Sequence, residues 1–457
     1  MSPHNSNAHG GDVSHGTMEV LFGWDPLIVS TVILVVSYFF IMTERINRAI
    51  VALLGAMLMI FFGVMNQHLA IQGIDFNTIF LLIGMMAIVS ITKKTGIFQY
   101  VAIISAKMVR ANPRYLLISL SVVTAVFSAL LDNVTTVMLV VPITLLLTEQ
   151  LKVNPYPFLF SQIFASNIGG MATLIGDPPN ILIGSAVGLS FMDFVYNVGP
   201  ISVIIMIIMI VFFDLLWGRK MQASLKDRAI LIHYKAYEAI EDRELLIKSL
   251  FTLFLVLCGF IFGHGHGYEP GTVALAGAAF LMLLDDYKFK PEEQSHRVQN
   301  VLGSVEWETI FFFLGLFILV YGVEQAGLLS ILGNKLLDLT GGDLQATGIV
   351  VIWSSAILSA IVDNIPFVAT MIPLIESTAP TFGGPQGLMP LWWCLSLGAC
   401  LGGNGSLVGA SANVMVASYA ERAGHRISFM KFMLLGFPLM IGTIAIATVY
   451  AWFMFLT

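Results

Sequence analysis

The chain has 457 residues, of which 22 are Lys or Arg and 28 are Asp or Glu, giving a formal net charge of −6. Charged residues make up 11 % and hydrophobic residues 57 %, whereas soluble domains are about one quarter charged. A water-soluble enzyme is excluded, and an all-α polytopic membrane protein is predicted, since roughly 20 apolar helical residues cross a bilayer.

In chain order, residues 1–26 begin with a polar, Gly- and His-containing stretch without Lys or Arg. They read as an external tail rather than a cleavable signal. Single spans are predicted at 27–43, 47–65, 76–92 and 195–216, and then at 247–263, 271–284, 307–323 and 428–454. The stretch 271–284 is short and should extend outward through Glu269. Four apolar blocks, 115–147, 157–189, 346–375 and 390–420, are longer and interrupted. If 115–147 and 346–375 are re-entrant hairpins and the other two are broken helices crossing once, the chain makes about ten crossings. Of the 22 Lys and Arg, only Lys335 then falls on one face and all others on the opposite face. Basic residues collect on the cytoplasmic side, so both termini are expected outside a cell (inner) membrane. Making 157–189 a hairpin would instead send the cluster from Arg219 to Lys248 outside. Residues 217–246, the one long charged segment, read as a solvated cytoplasmic linker between halves 27–216 and 247–457.

The halves repeat each other. NTIFLLIGMMAIVSITKKTGIF (77–98) aligns with ETIFFFLGLFILVYGVEQAGLL (308–329), which also brings Asp132-Asn133 onto Asp363-Asn364 and Pro142 onto Pro373. TLIGDPPNILI (173–183) meets SLVGASANVMV (406–416), and VALLGA (51–56) meets VALAGA (273–278). With an odd number of crossings per half, the second copy is inverted. Inverted repeats with interrupted helices are the sequence signature of secondary transporters, whose site lies near the midplane.

The candidate site follows from the interruptions. Each hairpin has Asp-Asn at its centre, Asp132 with Asn133 and Asp363 with Asn364. A carboxylate at bilayer depth is costly unless it faces water or a partner, and the same residues can cap the returning helix. Thr135 and Thr136 follow the first tip. The broken segments SNIGGMATLIGDPPNILIG (166–184) and GGNGSLVGASANVMVAS (402–418) cannot stay helical through their glycines and prolines. Unwound backbone survives there only against protein or a wet cavity. Ser166, Asn167, Thr173, Asn180, Asn404, Ser406, Ser411 and Asn413 would supply neutral donors and acceptors around one volume, with half-helix N-termini pointing in. Asp177 breaks the repeat, its counterpart being Ala410, and is either a proton or cation site or a cap. Glu324 reads as interfacial, the histidines of 1–15 and His264/His266 as external loops, and Cys394 and Cys400 as packing.

In these strings, above all LLDNVTTVMLVVPI, SNIGGMATLIGDPPNILIG, DNIPFVATMIPLI and GGNGSLVGASANVMVA, the chain resembles the ArsB/NhaD/P-protein branch of the ion transporter superfamily. The likeness runs from about residue 27 to 455. It implies two inverted repeats, each with a re-entrant hairpin and a broken helix, moving a substrate by alternating access. Within that branch lie arsenite/antimonite exporters, Na⁺/H⁺ antiporters and pigment-cell anion or pH regulators, and some members use a separate cytoplasmic ATPase subunit.

A lining of Ser, Thr, Asn and three Asp, with no Lys or Arg, suits a small neutral inorganic solute such as arsenite better than a multivalent anion. One inward proton contributes about 2.3 kcal/mol per 100 mV, enough for roughly a fifty-fold gradient at about 1.4 kcal/mol per decade. The expectation is therefore proton-coupled arsenite/antimonite efflux, with Asp132, Asp363 or Asp177 carrying the proton. A Na⁺/H⁺ antiporter or small-anion permease is the alternative. No cofactor, metal or nucleic acid is expected; the bilayer, an ATPase subunit and a second copy of the chain are the partners considered. No HExxH, GxSxG or Walker loop suggests an enzyme.

Overall fold

The computed structural model describes residues 20–43 and 45–457. Most of the expected tail, with His4, His9 and His15, lies outside the described residues. The described residues are helical throughout, without a strand. The first half comprises α1 (Pro26–Thr43), α2 (Arg48–Phe61), α3 (Phe76–Lys93), α4 (Ile97–Met108), α5 (Pro113–Leu130), α6 (Asn133–Gln150), α7 (Tyr156–Met171), α8 (Pro178–Val187) and α9 (Gly199–Leu216). After α10 (Leu225–His233), the second half repeats the series. It has α11 (Arg243–Phe262), α12 (Pro270–Asp286), α13 (Trp307–Gln325), α14 (Leu328–Thr340), α15 (Leu344–Ile361), α16 (Asn364–Glu376), α17 (Met389–Gly402), α18 (Ser411–Arg422) and α19 (Phe429–Ala451). Short helices at Gln67–Gln72, Phe191–Asn197 and Pro291–Gly303 join them.

Among the described residues nine helices are long and apolar enough to cross a membrane. Counting Pro178–Val187 with Phe191–Asn197, bent by 116°, gives ten. Small residues let the backbones touch. Gly84 in α3 lies against the backbone of Ala274 in α12, and its repeat partner Gly315 in α13 lies against Ala52 in α2. A methyl group at either glycine would meet that backbone, so the halves interlock where helices can approach most closely. Gly169 against Ala125 joins α7 to α5, and Gly402 against Ala356 joins α17 to α15 in the same way.

The hairpins α5–α6 and α15–α16 enter from opposite ends. The base of the first is tied by Arg114 to Asp214, near the C-terminal end of α9, at 2.7 Å. Just before the other end of α9, the Asn197 carbonyl accepts from Tyr450, and Gln345 at the base of the second hairpin donates to the Leu456 carbonyl.

Several expectations need correction. The span expected over 47–65 is a helix only to Phe61, whereas the short stretch 271–284 does extend outward as expected, beginning at Pro270 directly after Glu269. The hairpin arms α5, α6 and α15 are 18 residues each, so length alone would count them as crossings. Helices α4 and α14 were not anticipated. Each follows a glycine in the left-handed region, Gly96 at φ 78° and Gly327 at φ 89°, which turns the chain sharply away from the preceding helix. The 217–246 segment is also not an open connector. Lys107 donates to the Tyr234 carbonyl at 2.9 Å, Arg228 to the Arg110 carbonyl at 3.0 Å, and Glu241 N–H to the Thr95 carbonyl at 3.1 Å. Asp227 pairs with Lys152 at 3.2 Å, and Ser224 with Lys152 holds its carboxyl below the usual range. The linker is strapped across the base of the first hairpin.

Candidate transport site

Each hairpin tip turns on its aspartate. Asp132 Oδ1 accepts from Thr135 N–H at 2.8 Å, and Asp363 Oδ1 from Ile365 N–H at 3.1 Å, so both cap the returning helix. Capping uses one oxygen and leaves the other for different work. The asparagines that follow are buried and point inward.

The broken helices are held open by one device used twice. Asn180 Nδ2 donates to the carbonyls of Met171 and Thr173 at 3.0 and 2.9 Å; Asn413 Nδ2 donates to those of Gly403 and Ser406 at 2.7 and 2.9 Å. These bonds satisfy carbonyls that the helix break would otherwise orphan in an apolar interior. The segments also dock on the hairpins symmetrically. Ser128 donates to the Ser166 carbonyl and Ser359 to that of Ala399, at 2.6 and 2.8 Å. Thr173 donates to the Ala129 carbonyl and Ser406 to that of Ala360, at 2.7 and 2.6 Å. Ser166 donates back to the Ile163 carbonyl. The side chains of Ser166, Thr173, Asn180 and Ser406, expected to line the site, are therefore occupied in holding its walls.

What remains converges on Asp177. This residue immediately precedes α8 yet makes no capping bond, so the cap reading fails. Its carboxylate is fully buried, and Oδ1 accepts from Asn133 Nδ2 of one hairpin at 3.2 Å and Asn364 Nδ2 of the other at 3.4 Å. Asn133 also donates to Asn167 Oδ1 at 3.2 Å, and Asn167 donates to Asn404 and Asn413 Oδ1 at 3.1 and 3.0 Å. One hydrogen-bonded chain thus joins both hairpins and both breaks. Among the described residues, four buried atoms in this neighbourhood lack a partner: Asp177 Oδ2, Asn133 Oδ1, Thr136 Oγ1 and Asn404 Nδ2. Buried polar atoms are nearly always paired, so these four are the candidate contacts for a bound species.

The tips also border a cavity of about 510 Å³ lined by Arg48, Val134, Glu306, Thr309, Asp363 and Ser411 among others. Its mouth lies among the N-terminal ends of α2 and α13, on the basic face. Here the expectation of a lining without Lys or Arg is wrong. Arg48 donates to Asp363 Oδ2 at 2.9 Å and to Ser411 Oγ at 2.6 Å. Its charge is legible in the sequence, but Asp363 is 315 residues away, and no local pattern links the two. Glu306 was also missed; burial, with the nearby Asp132 charge, pushes its carboxyl up. Thr135 lies in a narrower crevice of about 110 Å³ with Lys93 and Glu306. On the opposite face the repeat-related crevice, about 230 Å³, holds Asp75 and Glu324 at the corresponding positions. Cys400, the repeat counterpart of Asn167, is no mere packing residue, since its thiol touches Asn180 Oδ1 at 3.5 Å.

Residues 38–398 match the family described as citrate transporter, CitMHS. An uncharacterized transporter of Mycobacterium tuberculosis is 41 % identical over 429 residues, 93 % of this chain and 98 % of that protein. The chain belongs to the CitMHS family. Human P protein is 33 % identical over 92 % of the chain, which spans 59 % of that longer protein. Both matches fall within the ion transporter superfamily indicated by the motifs. Among solved structures the YdaH transporter of Alcanivorax borkumensis is similar at 13 % identity and a TM-score of 0.49, over 82 % of this chain and 85 % of that one. As a CitMHS member the protein is a multi-pass membrane transporter, not an enzyme.

Proposed function

We propose that this CitMHS member is a secondary active carrier that exports a small neutral oxyacid, of the arsenite/antimonite type, in exchange for protons. The observation that carries the reading is the free Oδ2 of fully buried Asp177, at the point where both hairpins meet. A carboxylate there has amide partners but no cation, so a proton or a cation is the natural missing occupant. Around it the open atoms are three acceptors, Asp177 Oδ2, Asn133 Oδ1 and Thr136 Oγ1, and one donor, Asn404 Nδ2. That set suits a neutral trihydroxide, which offers three O–H donors, better than a multivalent anion. With the basic face cytoplasmic and both termini outside the inner membrane, the large cavity is the loading side of an exporter. The strapped linker lies on the face where an ATPase subunit would attach.

A second reading, import or export of a small carboxylate anion, is favoured by Arg48, a fixed positive charge in the cavity, and by the name of the family. A Na⁺/H⁺ antiporter, with Na⁺ at Asp177, is the third. Inside-out proteoliposomes separate them. An imposed pH gradient should drive uptake of radiolabelled arsenite but not citrate, in the absence of Na⁺. Citrate counterflow without arsenite movement would favour the second reading, and pH-driven Na⁺ flux alone the third.

A further inference from the structure

We propose that Arg48 is a state-selecting latch, an ion pair between scaffold and hairpin that holds the carrier open to its basic face. The proposal rests on alternating access but not on any particular substrate.

Arg48 opens α2, whose partner in the interlocked scaffold is α13, and its guanidinium lies over the Phe312 ring of α13 at 5.1 Å from the centroid. That anchors it on the part of the molecule built from α2, α3, α12 and α13. Its two acceptors are on the other part. Asp363 is the tip of the second hairpin, and Ser411 is the first residue of the half-helix α18. Ser411 Oγ closes the triangle by donating to Asp363 Oδ2 at 2.8 Å. The pair is shielded, with side-chain exposures of 26 % for Arg48 and 14 % for Asp363.

The repeat gives the argument its direction. In an inverted-repeat carrier the two access states arise largely by moving one structural unit against the other around a fixed site. A scaffold–hairpin bond made equally in both halves would favour neither state. Asp363 has a counterpart in Asp132, but Arg48 has none: its place in the second half is taken by Pro270, and that of Ser411 by Pro178. Asp132 Oδ1 is used in capping, and no cation pairs with Asp132 among the described residues. The contact is therefore made in one half alone. Moving the hairpins toward the opposite face must break it, while no mirrored contact forms in exchange. A ligand can shift such an equilibrium only by its differential affinity for the two states, so the latch sets how much work substrate and proton must do.

The test is accessibility without substrate. In a Cys258→Ser background, with Cys394 and Cys400 buried, single reporters are placed at Val414→Cys in the large cavity and Ala369→Cys in the opposite crevice. Labelling rates with a membrane-impermeant maleimide are then compared from each side. The Val414/Ala369 labelling ratio should fall about three- to ten-fold in Arg48→Gln. Asp363→Asn, which keeps the cap acceptor, should shift it the same way. A ratio unchanged or raised in both single variants overturns the latch. If instead the reporter at Ala369 never becomes reactive in the carrier with native Arg48, under any gradient or solute, alternating access itself fails.

Discussion

The two halves share a skeleton and differ in chemistry. Ser128 and Ser359, Thr173 and Ser406, and Asn180 and Asn413 make matching bonds at matching places. Against this symmetry stand Asp177 facing Ala410, Asn167 facing Cys400, Arg48 facing Pro270, and Lys93 facing Glu324. Shared residues preserve a geometry that needs backbone satisfied inside a membrane. Unshared ones supply a titratable group, a latch and a difference in charge between the two entrances, which is what a directional carrier requires of a symmetric frame.

If the skeleton is symmetric in energy as well as in form, paired substitutions should cost alike. The largest effect is expected at the helix breaks. Asn180→Ala and Asn413→Ala each orphan two buried carbonyls and should each destabilise by about 2–4 kcal/mol, measured by thermal or denaturant unfolding in detergent. A clear loss for one and none for the other would break the equivalence. Glycine contacts sharpen the comparison. A methyl on Gly170 would run into the backbone carbonyl of Gly176, whereas on Gly403 it would meet the Ala410 methyl at 3.1 Å. Gly170→Ala should cost about 1–3 kcal/mol and Gly403→Ala less; the reverse order would contradict this packing. Ser128→Ala and Ser359→Ala should each cost about 1 kcal/mol, indistinguishable in the same assay.

The smallest effect is a slope in pH. Because burial raises the Glu306 carboxyl, the folded state binds that proton more tightly than the unfolded state does. Its contribution is therefore favourable at low pH and is lost as pH rises through the folded pKa. Glu306→Gln should gain stability relative to the parent protein at pH 8 and little at pH 5. Equal differences at both values would remove Glu306 as a titrating element of the cavity.

The sequence revealed most where chemistry and secondary structure conflict. Asp-Asn inside an apolar block, Gly-Gly and Pro-Pro inside would-be helices, and their recurrence in order were enough to expect hairpins, breaks and a central cluster containing Asn133, Asn167, Asp177, Asn364, Asn404 and Asn413. Which polar groups face the ligand was not legible. Ser, Thr and Asn can each turn to a nearby carbonyl, and only the three-dimensional break shows that Asn180 and Ser406 do so. Arg48 escaped because its partner is distant in the chain, and a basic residue at a helix start reads first as an interfacial charge. The docked linker escaped because its sequence is largely polar, and α4 and α14 because, at 12 and 13 residues, their apolar stretches are too short to read as crossings.

The most direct measurement compares two modes of transport in Asp177→Asn. Solute exchange at equilibrium needs binding and alternation, whereas gradient-driven accumulation also needs the carboxylate. Reconstituted Asp177→Asn, which keeps one amide oxygen as an acceptor, should retain solute counterflow at weakened affinity and lose pH-driven uptake. PH-driven uptake at the parental rate would contradict Asp177 as the coupling group.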